Sequence, residues 1–270
     1  MRRQLLISLL AISIVACQRE APQEATGASG GDAPAAVTPS QTPLEDVIER
    51  TPRYLVGITF PPVANQYPPL ANVLRSYAAE ARADLAEAVK LAEGAAQGAP
   101  PYDLSLNFTD ISKSEDAVVI AADGSLYTGG AHGIPLIARF TYLPQEQRIL
   151  QASDLVPSTE GWQAISEYVR GQLSEAMEAR LAEDEVPATE RAEIIKNAAA
   201  MIEEGTLPDP ANFAQFEPIP SADGKWYGLR FVFPPYQVGP YSDGTQAVEV
   251  PAAVLKPHLS DRYRGRFTGN

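Results

Sequence analysis

Residues 127–133, YTGGAHG, form the stretch of the sequence whose residue types and spacing are best suited to catalysis or ligand binding. The stretch holds three glycines and one of the two histidines in the 270-residue chain. Histidine exchanges a proton near neutral pH and can also ligate metals. Glycine permits a positive φ and lets a backbone approach its neighbour closely. The segment therefore predicts either an active-site loop around His132 or a surface that the glycines shape and on which His132 packs and hydrogen-bonds.

A catalytic His132 would need a nucleophile or an orienting carboxylate beside it. Thr128 and Asp123 are close in sequence, although strand geometry alone does not bring either to the ring. The chain lacks the nucleophile-elbow and phosphate-loop patterns, and His132 and His258 stand apart from any metal-binding motif. We therefore expect no metal, no cofactor and no enzymatic activity. The enzymatic alternative that stays open is peptidoglycan processing by His132 with a nearby carboxylate.

A second unusual segment, residues 233–244, reads FPPYQVGPYSDG. Its three prolines restrict the backbone while its glycines allow turns. Tyr236 and Tyr241 each combine an apolar ring with a polar hydroxyl, which suits a recognition surface or the edge of a core. A stiff loop that presents tyrosines loses little entropy on binding, so the segment predicts a preorganised contact surface. The alternative is an ordered connection that packs its own tyrosines.

The N-terminus has the pattern of a bacterial lipoprotein signal. Arg2 and Arg3 precede an apolar run over residues 5–16, which is too short to span a bilayer stably. Residues 14–17, IVAC, resemble a lipobox, which predicts a signal peptide over 1–16 and lipidation of Cys17. Cys17 is the only cysteine, so no intramolecular disulfide can form. Gln18 after it favours the outer membrane, facing the periplasm.

Composition divides the remaining chain into a tether and a folded part. Residues 17–43 are rich in Ala, Pro, Gly, Ser and Thr, which predicts a disordered tether before one domain over 44–270. Without Arg2 and Arg3 the chain has 19 basic and 34 acidic residues, a formal charge of −15. That balance opposes binding to nucleic acid or to anionic headgroups, so we expect membrane contact through the lipid anchor only. It favours a cationic partner, or serves only solubility.

The hydrophobic periodicity predicts an α+β fold with a largely antiparallel sheet meander and three main helices packed on it. Apolar residues recur at helical spacing after Pro68, after a cap at Ser158 or Thr159, and between Thr189 and Gly205. In the last of these helices the residues expected to face the core are Ile194, Ile195, Ala198 and Ile202. The alternation typical of strands covers residues 54–60, 104–109, 134–142, 226–233 and 246–250. Asp123-Gly124 and Asp223-Gly224 are typical of tight turns, and the first predicts a hairpin between strands 118–122 and 125–128.

The order of these elements resembles a bacterial extracytoplasmic domain of unknown function. YTGGAHG, then ARFTYL, ASDLV, a helix and GLRFVFPPYQVGPYSDG are similar to the domain of RsiV-type anti-sigma factors and PdaC-type peptidoglycan deacetylases, over residues 54–259. In RsiV-type proteins this domain binds lysozyme, and in the deacetylases it accompanies a separate catalytic domain. The chain shows neither a sigma-binding segment nor a deacetylase domain, so the resemblance implies a stand-alone module and not the enzymatic activity.

The resemblance and the charge together predict a lipid-anchored binding module of the cell envelope. The expected partner is a cationic protein such as lysozyme, or cell-wall glycan. The candidate binding residues are those that match the family motifs, namely Tyr127, Gly129, Gly130, His132, Tyr236, Gly239, Tyr241 and Gly244.

Overall fold

The computed structural model of the protein describes residues 42–92 and 101–269. The described residues form six α-helices and nine β-strands, which confirms the predicted α+β class. The predicted signal peptide, Cys17 and most of the predicted tether lie outside the described residues. Within the described ranges, no helix is both long enough and apolar enough to cross a membrane.

The first half of the fold is a six-stranded sheet in which the strands follow one another in chain order. Its strands are β1 (Val47–Arg50), β2 (Tyr54–Thr59), β3 (Tyr102–Lys113), β4 (Val118–Tyr127), β5 (Ile134–Leu143) and β6 (Arg148–Ile149). All neighbours are antiparallel except β2 and β3. Those two are parallel because helix α1 (Pro68–Leu91) connects them as a crossover, the connection that parallel strands require.

Helix α1 covers one face of this sheet with the apolar stripe that its sequence predicts. Alternate residues of β3, beginning with Leu104, are buried under it, while Ser105 and Asn107 face solvent. The core between helix and sheet includes Ile58, Leu70, Leu74, Leu85, Leu104, Leu106, Phe108, Ile120 and Tyr142. This is the half-buried strand pattern of one face packed and one face solvated.

The second half of the fold builds a separate core on a three-stranded antiparallel sheet. The elements are α2 (Ala152–Leu155), α3 (Thr159–Glu183), α4 (Ala188–Gly205), β7 (Phe216–Pro220), β8 (Trp226–Phe233), β9 (Gln246–Pro251), α5 (Ala252–Leu255) and α6 (Asp261–Arg264). Trp162 stacks on Phe213 at 5.2 Å between ring centroids, and Phe231 meets Phe213 edge to face at 5.2 Å. These rings anchor α3 to β8.

The helix boundaries follow the sequence signals closely, and one predicted core residue is wrong. Ser158 caps α3 by accepting a hydrogen bond from the Gly161 N–H at 3.1 Å. Ile202 of α4 is buried as predicted, but Ile194 is 39% exposed. The half-buried Ile195 and Ala198 share the i, i+3, i+7 stripe of Ile202. Ile194 lies one helical step outside that stripe, which explains its exposure.

Arg139 of β5 joins the two halves of the fold. The side chain of Arg139 is only 9% exposed. Its guanidinium donates to Glu217 at 2.6 Å and to Asp123 at 3.0 Å. Its backbone N–H donates to the Gln215 side-chain oxygen at 2.7 Å. Losing one partner of a buried ion pair costs about 3–5 kcal/mol, because the other charge is left without compensation. No local sequence pattern predicts this junction, because Arg139 and Glu217 are 78 positions apart.

The hairpin predicted at Asp123-Gly124 is wrong, because β4 runs without a break through both residues. Asp123 pairs with Arg139 instead of starting a turn. A Cβ on Gly124 would lie 2.0 Å from the Ser105 carbonyl oxygen of β3. Glycine is therefore needed at this position because two strand backbones approach closely there, and not because the chain changes direction. The other predicted turn, at Asp223-Gly224, is present, and Gly224 has a φ of +80°.

Substituting Gly124→Ala should destabilise the protein, because β3 and β4 must separate to admit the new methyl group. Overpacking of this kind costs about 1–3 kcal/mol in the free energy of unfolding. Urea denaturation followed by circular dichroism measures the change. Gly57→Ala is the matched control, since Gly57 also lies in a strand of this sheet and a Cβ there meets nothing within 4 Å. Equal stability of the two variants would contradict the proposed close approach.

Candidate functional site: a tyrosine–histidine cluster

The structure brings the two unusual sequence segments into contact on the surface. Tyr236 OH and His132 Nε2 are 2.7 Å apart, although 104 positions separate the two residues. The His132 ring stacks on Tyr241 with 3.9 Å between centroids and 11° between planes. The two tyrosine rings lie 5.6 Å apart. We call His132, Tyr236 and Tyr241 the tyrosine–histidine cluster.

The loop that connects β4 and β5 positions His132. Gly129 and Gly130 have φ values of +101° and +96°, the left-handed conformations that the sequence predicts for glycine here. Tyr127 ends β4, and its hydroxyl donates to the Gly130 carbonyl at 3.2 Å. Tyr127 thus supports the loop and has no ring contact with the cluster among the described residues.

The hydrogen bonds of His132 define its neutral tautomer. Nδ1 lies 3.3 Å from the Gly133 carbonyl oxygen, which can only accept, so Nδ1 holds the proton. Nε2 is then an acceptor, and the Tyr236 hydroxyl donates to it. The imidazole therefore fixes the direction of the phenol O–H bond as well as the position of the ring.

Residues 234–244, the tyrosine loop, hold Tyr236 in a rare backbone conformation. Tyr236 has a φ of +76°, and its N–H donates to the Gly239 carbonyl at 3.0 Å. A left-handed conformation at a non-glycine residue costs about 1–3 kcal/mol and persists only where the surroundings enforce it. Gly244 closes the loop at a φ of +68°. Tyr236 is nevertheless 52% exposed, so the constraint presents the residue at the surface instead of burying it.

Two contacts outside the predicted motifs hold the tyrosine loop in place. The Gln237 side-chain amide donates to the carbonyls of Gly205 at 2.9 Å and Asn212 at 2.8 Å. A Cβ on Gly205 would lie 1.9 Å from the Gln237 carbonyl oxygen. From the sequence, Gly205 is predicted only to end α4. Its second role, close approach to a distant loop, leaves no signal in the local sequence.

An ion pair and an acidic helical hairpin border the same loop. Arg180 of α3 contacts Asp243 at 2.7 Å, and a Cβ on Gly239 would lie 3.2 Å from the same carboxylate. Residues 171–205, which include most of α3 and all of α4, contain nine acidic and three basic residues. All nine acidic residues are exposed. The exposed surface of this helical hairpin is therefore strongly negative.

The geometry offers His132 no acid partner among the described residues. Its ring nitrogens contact the Tyr236 hydroxyl and the Gly133 carbonyl, and Asp123, the nearest acid considered from sequence, pairs with Arg139. In the described part of the chain, no group of three or more His, Cys, Asp or Glu side chains is placed to hold a metal ion. The arrangement is suited to contact by aromatic rings and hydroxyls.

The basic tail at residues 262–266 is engaged within the fold. Arg262 and the Tyr263 hydroxyl donate to Glu146 at 2.8 and 3.0 Å, and Arg266 lies 3.6 Å from the same carboxyl group. Burial, and then the bond to Glu146, raise the pKa of Tyr263 above its ordinary value. The phenol therefore stays protonated and keeps donating at neutral pH. This network fixes the end of the chain against the β5–β6 turn and supplies no free cationic surface.

One family model matches part of the chain. Residues 153–253 match a family described as a protein of unknown function, DUF3298. That span includes the tyrosine loop but not His132, which lies before its first residue. No curated protein gives a significant match.

Two solved structures are similar to the chain, and both are DUF3298 family proteins. One, from Bacteroides fragilis, is 17% identical with a TM-score of 0.48; the similarity covers 82% of this chain and 94% of that one. The other, from Pseudomonas aeruginosa, is 18% identical with a TM-score of 0.49, over 84% of this chain and 96% of that one.

Gly205→Ala should displace the tyrosine loop, because the added methyl group and the Gln237 carbonyl cannot occupy the same space. We expect a loss of about 1–3 kcal/mol in the free energy of unfolding. We also expect the nuclear Overhauser contacts between the His132 and Tyr241 rings to weaken. Gly171→Ala in α3 is the control, since a Cβ there meets nothing within 4 Å and alanine favours helix. Intact ring contacts in Gly205→Ala would refute this role for Gly205.

Proposed function

We propose that this protein is a lipid-anchored binding module of the bacterial cell envelope that holds a basic protein such as lysozyme. The tyrosine–histidine cluster is the proposed contact surface, and the acidic residues of α3 and α4 beside it supply the attraction. The single observation that supports the proposal most is the half-exposed Tyr236, fixed in a left-handed conformation and bonded to His132.

Preorganisation makes the cluster suitable for protein recognition. Tyrosine is enriched among the residues that contribute most binding energy at protein interfaces. A ring that is already fixed loses little conformational entropy when a partner packs on it. Both neighbours of Tyr236 in the cluster are aromatic, so a partner that packs on Tyr236 meets a group of aromatic side chains. Such surfaces also attract the guanidinium and ammonium groups of a basic protein.

Charge supports a basic partner over other classes. The whole chain has a formal charge of −13, and the exposed acidic residues of 171–205 lie on α3, on α4 and on the turn between them. Complementary charge raises the rate of association and suppresses wrong partners. The resemblance of both loop motifs to RsiV-type domains, which bind lysozyme, is the reason for naming lysozyme as the test ligand.

Replacing Tyr236→Gly should weaken lysozyme binding about 30-fold or more, the effect typical of losing an aromatic residue at the centre of an interface. Glycine accepts the positive φ, so the loop backbone is preserved. The measurement is isothermal titration calorimetry of the full-length chain with purified lysozyme, at 50 and 300 mM salt. Affinity should fall at the higher concentration, because exposed charges are screened.

The control for this experiment is Tyr227→Ala, since Tyr227 of β8 is as exposed as Tyr236, at 52%. It should bind lysozyme like the unsubstituted chain. The absence of binding at low salt, or an equal loss in both variants, would rule the proposal out. The enzymatic alternative has its own readout: if the chain releases fragments from purified peptidoglycan and folded His132→Ala does not, His132 is catalytic and the module is an enzyme.

The proposed anchor rests on the lipobox-like IVAC sequence that ends at Cys17. Cys17→Ser should remove the acyl chains and move the protein from the outer-membrane fraction to the soluble periplasmic fraction. Metabolic labelling with a palmitate analogue, followed by fractionation, measures both effects. Ser40→Ala is a suitable control because it leaves the predicted lipidation site intact. Membrane retention and labelling of Cys17→Ser would contradict lipid anchoring at this residue.

A further inference from the structure

A cleft of about 590 Å³ lies between α1, the outer edge of β5 and the β5–β6 turn. Its volume is in the range of small-molecule binding sites. Tyr77 and Phe140 line it with two aromatic rings that contact each other edge to face, with 5.7 Å between their centroids and 77° between their planes. Gln147 and Gln215 are also among the residues that line it. The cleft shares no lining residue with the tyrosine–histidine cluster.

The charged groups of the cleft are already neutralised. Arg139 pairs with Glu217 and Asp123, as described above, and Arg148 contacts Asp154 at 2.6 Å and Glu146 at 3.1 Å. Neither arginine is therefore a free cation for an anionic ligand. The residues that line the cleft include no carboxylate, so a cationic ligand finds no counter-charge there.

The hydrogen-bonding groups that are not used within the fold are neutral. Among the described residues, the Tyr77 hydroxyl, the Gln147 amide and the Gln215 side-chain nitrogen have no hydrogen-bond partner. Burial, and then the charge of Asp123, raise the pKa of Tyr77, so its phenol is protonated and can donate at neutral pH. Neutral donors and acceptors beside aromatic faces match a ligand with hydroxyl and amide groups on apolar rings.

The edge of β5 argues against a peptide strand as the occupant. Strand addition needs a row of free backbone groups along the edge. Here the Arg139 N–H is capped by the Gln215 side chain, the Thr141 carbonyl accepts from Leu150 N–H at 2.8 Å, and Pro135 has no N–H. Ile137 is left as an isolated position between blocked neighbours. Side-chain caps and proline are the devices that keep an edge from pairing.

We infer that the cleft between Tyr77, Phe140 and Gln147 binds a neutral oligosaccharide with acetamido groups. The sugar rings pack on the two aromatic side chains, and the glutamine amides pair with the acetamido groups. This site is independent of the proposed lysozyme surface, because the two are built from different residues on different elements. A module with both would hold a wall-type glycan and a basic protein at the same time.

The test is calorimetric titration of the full-length chain with the β-1,4-linked tetramer of N-acetylglucosamine. The glucose tetramer with the same linkage lacks the acetamido groups and their hydrogen bonds, and should bind at least about tenfold more weakly. Gln147→Gly removes one amide while suiting the φ of +53° at this position. Losing one neutral hydrogen bond should weaken binding about 3- to 10-fold, and the double variant Gln147→Gly, Tyr77→Phe more. Circular dichroism verifies that both variants are folded.

The outcomes separate this site from the lysozyme proposal. Lysozyme and the sugar tetramer are titrated separately into the same preparation, so either can fail alone. Tyr227→Ala should bind the tetramer like the unsubstituted chain. The inference is overturned if the tetramer does not bind, if it binds equally to the folded double variant, or if Tyr236→Gly abolishes its binding. If the tetramer does not bind and an extended peptide slows hydrogen exchange at Ile137, the occupant of the cleft is a peptide and the inference is overturned.

Discussion

The docking of the tyrosine loop against the C-terminal end of α4 is the constraint on which the candidate site depends. Two side-chain hydrogen bonds from Gln237 and the absence of a side chain at Gly205 bring the loop onto the helix. These contacts fix the base of the loop and so help to hold Tyr236 in its left-handed conformation. That residue in turn meets His132 from the other half of the fold. The exposed rings are thus supported by interactions that are themselves polar and partly buried.

The two cores support different parts of the tyrosine–histidine cluster. The helix–sheet core around α1 supplies the β4–β5 hairpin that ends in His132, and the core around α3 and β8 supplies the tyrosine loop. Arg139 and its carboxylate partners join the two across β5 and β7. Because the cluster takes one ring from the first half and two from the second, the distances between its rings depend on how the two halves are joined.

The sequence predicts most elements of this fold, because their signals are local. β8 begins and ends at Trp226 and Phe233 as predicted, since alternation and the following turn chemistry lie within a few residues. The Asp123-Gly124 hairpin failed where a tertiary close approach outweighed a local turn preference. The motif residues of the site were named from sequence, but their contact was not, because pairing over 104 positions depends on the whole chain. Gly205 and Gln237 had no distinguishing local pattern.

The positions of the two tryptophans have an optical consequence. Trp162 and Trp226 both belong to the core around α3 and β8, where Trp226 meets Phe267 edge to face and Arg266 lies over its ring. The core under α1 contains tyrosine and phenylalanine but no tryptophan. Tryptophan fluorescence therefore follows the unfolding of the second half of the fold and not that of the first. Any difference between its transition and the far-ultraviolet signal would reveal that the halves lose structure separately.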